Sequence, residues 1–127
     1  MAKKTTSIAN TSQIAFDLRA PTFRHKKCDF YKANRKGMPE ELAAQLDGAK
    51  KAAECLGLHV LSLAGYEADD ILGTVARLAE TDEKNDYDCY IMTGDRDSFQ
   101  LVGEKSFVLL CTNSDTVLYD KEKISET

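Results

Sequence analysis

Three short apolar runs lie far apart in the chain, separated by segments of helical periodicity. Ile14-Ala15-Phe16-Asp17 is the first, His59-Val60-Leu61-Ser62-Leu63 the second and Tyr90-Ile91-Met92 the third. Before the second run, Pro39 opens a segment in which Leu42, Leu46, Ala49, Ala53 and Leu56 recur every three or four positions, and Gly57 closes it. Proline suits a first helical turn, Glu40 and Glu41 suit the positive helix end, and glycine suits the stop. Before the third run, Gly65 turns the chain. From Glu67 to Glu80, the residues Ala68, Ile71, Leu72, Val75, Leu78 and Ala79 share one helical face. Strands alternating with helices need a mainly parallel sheet with helices packed on it, an α/β fold. A helical turn over Arg96 to Val102 follows. The runs Phe107–Cys111 and Thr116–Tyr119, joined around Asn113-Ser114-Asp115, are close enough to form an antiparallel hairpin.

At 127 residues the chain is one domain, with 43% hydrophobic and 30% charged residues, too apolar for wholesale disorder. Its longest apolar run is Phe107–Cys111, whereas a membrane-spanning helix needs about 20 residues. No membrane contact is expected. Met1-Ala-Lys-Lys lacks the apolar stretch of a secretion signal, so a cytoplasmic location is expected. Cys28, Cys55, Cys89 and Cys111 form no C-x-x-C pair, and His25 and His59 complete no zinc spacing. Cys55, Cys89 and Cys111 sit in apolar neighbourhoods and read as reduced core thiols. Residues 1–13 are polar and read as a disordered leader.

Charge is divided unevenly. Residues 1–36 hold nine Lys and Arg against two Asp, a net +7, and residues 37–127 hold eight against nineteen acids, a net −11. The basic stretch, residues 19–37, interleaves Phe23, Phe30 and Tyr31 with its cations. Such a pattern suits single-stranded nucleic acid, where cations follow the backbone and rings stack on bases. A solvated loop would carry the same charges.

The acids fall where sites form in parallel α/β sheets, beyond the carboxyl ends of strands. Asp17 ends the first strand, Glu67, Asp69 and Asp70 follow the second, and Asp95 and Asp97 follow the third. Six carboxylates on one rim need countercharge, and hard oxygen ligands favour Mg²⁺ or Mn²⁺. Helix capping is the competing explanation. Glu67, Asp69 and Asp70 lie in a first helical turn, where acids stabilise a helix by roughly 0.3–1 kcal/mol each. Asp95-x-Asp97 has the same capping potential.

These residues carry a resemblance. Phe16-Asp17, Thr22-Phe23-Arg24, Tyr31-Lys32-Ala33-Asn34-Arg35, Met38-Pro39-Glu40-Glu41-Leu42, Gly65-Tyr66-Glu67-Ala68-Asp69-Asp70 and Thr93-Gly94-Asp95-Arg96-Asp97 resemble, in order, the 5′–3′ exonuclease domain of bacterial DNA polymerase I. That domain belongs to the flap endonuclease group and has a PIN-like fold. The resemblance implies a Mg²⁺-dependent nuclease, using two ions in the complete domain. Its substrates would be 5′ ends and 5′ flaps of DNA, and RNA primers, in replication and repair near the bacterial nucleoid. By motif position, Asp17, Glu67, Asp69, Asp70, Asp95 and Asp97 would hold the metal. Residues 19–38 would form a helical arch over the strand. There Arg24, Tyr31, Lys32 and Arg35 would bind nucleic acid, with Lys32 and Arg35 catalytic at the scissile phosphate.

Against the family pattern, residues 14–127 are expected to be a partial domain. A first strand bearing another Asp precedes the Asp17 strand in the family, and a DNA-binding element with a Gly-Asp-x-x-Asp-Asn motif follows. Without them, the Ile14–Phe16 and Tyr90–Met92 edges would leave a gap, close on each other, or pair with a second copy, and flap cleavage would be slow. Two other functions share these residues. One is a Mg²⁺-dependent phosphatase with Asp95 as nucleophile. The other is a non-catalytic nucleic-acid-binding module.

Overall fold

The computed structural model describes residues 12–18, 26–27 and 38–126. They fall into two compact units, residues up to Ile71 and residues from Leu72 onward. No described helix is long and apolar enough to cross a membrane.

In the first unit, β1 (Gln13–Ala15) pairs in parallel with β2 (His59–Leu61), with Ile14 opposite Val60. The ladder extends one residue each way. His59 N–H donates to Ser12 O at 3.0 Å and Phe16 N–H to Leu61 O at 2.9 Å. The expected leader, residues 1–13, thus gives Gln13 to a strand, and residues 1–11 lie outside the described residues.

Helix α1 (Glu40–Cys55) packs on β2 and begins after Pro39, whose carbonyl accepts from Ala43 N–H at 3.0 Å. It stops in a Schellman turn. Gly57 N–H donates to Glu54 O and Leu58 N–H to Ala53 O, both at 3.0 Å, with Gly57 at φ +85°. The buried stripe is not the expected one. Ala53 is buried and Ala43, Leu46 and Lys50 are partly covered, whereas Leu42, Ala49 and Leu56 face outward. Leu46 and Ala53 belong to both stripes. Lys50 takes the place of Ala49 in the covered stripe, with its ammonium 5.3 Å from the centre of the Phe16 ring. Cys55, expected in the core, is exposed at the helix end.

Helix α2 (Ala68–Thr81) starts after Glu67 and enters the second unit, where Ala76 and Ala79 are buried. Leu78, expected inward, is 62% exposed. In that unit, β3 (Cys89–Thr93) pairs in parallel with β4 (Ser106–Cys111), which pairs antiparallel with β5 (Thr116–Tyr119). This is the expected hairpin. Its turn is tied by Thr112 N–H on Asp115 O at 2.8 Å and Thr112 Oγ1 on Asp115 Oδ1 at 2.7 Å.

Central strand β4 alternates strictly, with Ser106, Val108 and Leu110 buried, as a strand covered on one face must. Ile91, Val108, Leu110, Tyr119 and Ala76 form the core, and the Phe99 ring meets Tyr119 at 4.4 Å. Cys89 and Cys111 are half-buried and free. A 3₁₀ helix (Arg96–Leu101) follows β3, and a short α3 (Lys121–Ser125) ends the described chain, capped by Asp120.

Candidate metal centre

Four of the six expected acids stand at the amino end of α2. Glu67 is the residue before the helix and is buried, at 9% exposure. Asp69 and Asp70 occupy the first turn. Asp70 Oδ2 accepts from Glu67 N–H at 2.9 Å, the backward half of a capping box. Asp17, placed at the end of β1 by the Phe16–Leu61 bond, reaches the same helix end. Its Oδ1 accepts from Ala68 N–H at 2.5 Å. The positive end of the helix dipole favours anions here.

Asp95 and Asp97 stand in the second unit. Asp95 precedes the 3₁₀ helix, and its Oδ1 accepts from Asp97 N–H at 2.9 Å. Asp95 N–H in turn donates to Thr93 Oγ1 at 3.1 Å. Both acids are exposed. Arg96 stays on its own turn, its guanidinium 6.0 Å from the Phe99 ring centre.

Both explanations of the acids therefore meet in these residues, because Asp17, Asp70 and Asp95 do cap. Capping commits one oxygen of each carboxylate to an amide. A carboxylate has two oxygens and about four acceptor sites, so a capping bond through one oxygen does not by itself exclude a cation. The donor set is all-oxygen and anionic, which fits Mg²⁺ or Mn²⁺ rather than a soft metal. Within neither unit do three or more described His, Cys, Asp or Glu side chains surround one point that could hold an ion. The four acids of the first unit share a helix end.

Arg24, Tyr31, Lys32 and Arg35 lie outside the described residues. Of the basic segment, Lys26 and Lys27 are described, helical and exposed. Sequence reading missed two supporting residues. Thr93 was legible as a hydroxyl two positions before Asp95, the spacing of a side-chain turn. Lys50 was legible as the charged member of a helical stripe.

The family model for the 5′–3′ exonuclease, N-terminal resolvase-like domain, matches residues 1–127. Thermostable DNA polymerase I of Thermus filiformis is 47% identical over 97 residues, which is 76% of this chain and 11% of that protein. DNA polymerase I of Synechocystis sp. is 48% identical over 98 residues, 76% of this chain and 10% of that protein. The Mycobacterium bovis enzyme is 41% identical over 112 residues, 88% and 11% respectively. The chain thus spans about a tenth of the length of these relatives. A structure of T5 5′-exonuclease with divalent metal ions (zinc) bound shares the fold, with a TM-score of 0.69 and 21% identity over 98% of this chain and 48% of that one. The PIN-like α/β fold expected from the sequence is thereby borne out. With its whole length matched by the family model, the chain belongs to the 5′–3′ exonuclease, N-terminal resolvase-like domain family.

Proposed function

We propose that the chain is part of a Mg²⁺- or Mn²⁺-dependent 5′ nuclease that hydrolyses phosphodiester bonds at 5′ ends and 5′ flaps of DNA and at RNA primers. The observation that carries this reading is the placement of Asp17, Glu67, Asp69 and Asp70 at one helix end in a chain of this family. Those four acids, with Asp95 and Asp97, would hold the cations. When bound, divalent ions polarise a phosphoryl oxygen and lower the pKa of water.

The chain's own residues supply the rest. The caps tie one oxygen of Asp17 and one of Asp70 to backbone amides at the start of α2 before any ion arrives. Lys32 and Arg35 neutralise the phosphate that reacts. Arg24 follows the neighbouring backbone, and Tyr31 stacks on a base. These contacts read phosphate and π-face and therefore tolerate any sequence. A bacterial cytoplasmic location at the nucleoid goes with such a substrate. Pairing of a second copy along the edge of β3 or β1 that is unpaired among the described residues is the form self-association would take.

The test is cleavage of a 5′-labelled flap duplex under single-turnover conditions, with Mn²⁺ and with chelator. Cleavage that needs the ion and is lost in Asp95→Asn supports the reading. Turnover of a chromogenic phosphate monoester with no flap cleavage would replace it with the phosphatase. Metal-independent DNA binding without cleavage would replace it with a binding module.

A further inference from the structure

The amino end of α2 is held by a carboxylate from outside the helix. Ala68 is its first residue, and no helical carbonyl can reach that amide. Side-chain caps ordinarily come from the residue just before the helix. Here the acceptor is Asp17 Oδ1, 51 residues earlier in the chain. Phe16, the residue before Asp17, is held from two sides. Phe16 N–H continues the β1–β2 ladder onto Leu61 O at 2.9 Å, and the Lys50 ammonium of α1 lies 5.3 Å from the Phe16 ring centre. Within the helix, Asp70 fixes the Glu67 amide.

We infer that Asp17 is a positioning residue: its carboxylate anchors the first turn of α2 to the end of β1. It thereby sets where Glu67, Asp69 and Asp70 stand, with or without a cation. The consequence for metal binding rests on the function proposed above, whereas the anchor itself does not. The two roles predict opposite signs in the absence of metal. A carboxylate serving only as a ligand repels its acidic neighbours when no ion is present, so its removal stabilises the fold. An anchor is lost on removal whatever the metal.

The experiment compares Asp17→Ala and Asp17→Asn in the full chain with chelator present. Asparagine keeps an Oδ1 acceptor for the Ala68 amide and drops the charge. Asp17→Ala is expected to lower the melting temperature by roughly 2–8 °C. It should also speed hydrogen exchange at the Ala68 amide by roughly tenfold. Asp17→Asn is expected to recover most of both losses. Melting of Asp17→Ala at or above wild type, or unchanged exchange at Ala68, overturns the anchor. Should Asp17→Ala fail to fold, rescue by Asp17→Asn supports the anchor and an equally unfolded Asp17→Asn overturns it. A Mn²⁺ titration of wild type by calorimetry separates the two ideas, since absent binding with the Ala68 result intact defeats the metal reading alone.

Discussion

Glu80 Oε1 accepts a hydrogen bond from the backbone N–H of Lys105 at 2.8 Å, joining α2 to the residue before β4. The carboxylate lies over Gly103, where a Cβ would occupy the place of that oxygen. Both backbone groups of Lys105 are engaged, because its carbonyl accepts from Cys89 N–H at 2.7 Å at the start of β3. The Glu80 contact therefore helps bring α2, β3 and β4 together around Ser106, which is fully buried and whose Oγ donates to Ala76 O at 3.4 Å.

Gly103→Ala should displace Glu80 and leave the Lys105 amide without its acceptor, at a cost of about 1–3 kcal/mol. Glu80→Gln keeps an acceptor and should cost less. Combining Gly103→Ala with Glu80→Ala should cost less than the sum of the two, because both remove one contact. Urea melts of the four variants measure this, and strict additivity would refute it.

Gly48 within α1 and Gly57 just past its end should respond with opposite signs. Gly48 sits mid-helix with open space where a Cβ would project, so Gly48→Ala should stabilise by about 0.5–1 kcal/mol. Gly57 has equal space but a φ of +85°, which the Schellman turn requires. Gly57→Ala should destabilise by about 1–2 kcal/mol. Thermal melts check both, and matching signs would mean that backbone conformation does not govern the difference.

Burial, and after it the Glu80 charge, raises the Cys89 thiol above its ordinary value of 9.0. The folded chain then holds this proton more tightly than the unfolded chain. Its stabilising contribution is complete below the ordinary value and is lost as pH rises through the raised one. Wild type should therefore lose more stability than Cys89→Ala when pH is raised across that window. At neutral pH a thiol reagent should label exposed Cys55 well before Cys89. Equal labelling rates would contradict the burial of Cys89.

The elements that were legible in sequence owe their form to local pattern. Ser106, Val108 and Leu110 alternate as a half-covered strand must, and Gly57 marks a helix stop that only a left-handed residue can make. Capping by Asp70 and Asp95 was legible too, since both partners lie within three residues. The stripe of α1 was misread because Lys50 counts as polar by composition while its position over Phe16 makes it a packing residue. The Asp17–Ala68 bond was beyond local reading. It depends on parallel pairing of β1 with β2, and no spacing within either segment encodes the 51-residue separation.

The basic segment gives the remaining prediction. Residues 1–36 carry a net +7, and within them Lys32 and Arg35 belong to the Tyr31–Arg35 motif. If these two neutralise phosphates, each releases condensed counterions on binding. Replacing both with Ala should then weaken single-strand binding by the same factor for every base composition. It should also flatten the plot of log affinity against log salt by about 1.4 units, at roughly 0.7 per contact. Tyr31→Ala should act differently. Loss of a stacking ring costs about 1–3 kcal/mol without changing the salt slope, because no counterion is involved. Fluorescence anisotropy with oligonucleotides of several compositions, at a series of salt concentrations, reads both quantities. An unchanged slope in the Lys32/Arg35 double variant would mean that the segment is a solvated loop, and a slope change in Tyr31→Ala would mean that the ring orders the cations instead of stacking.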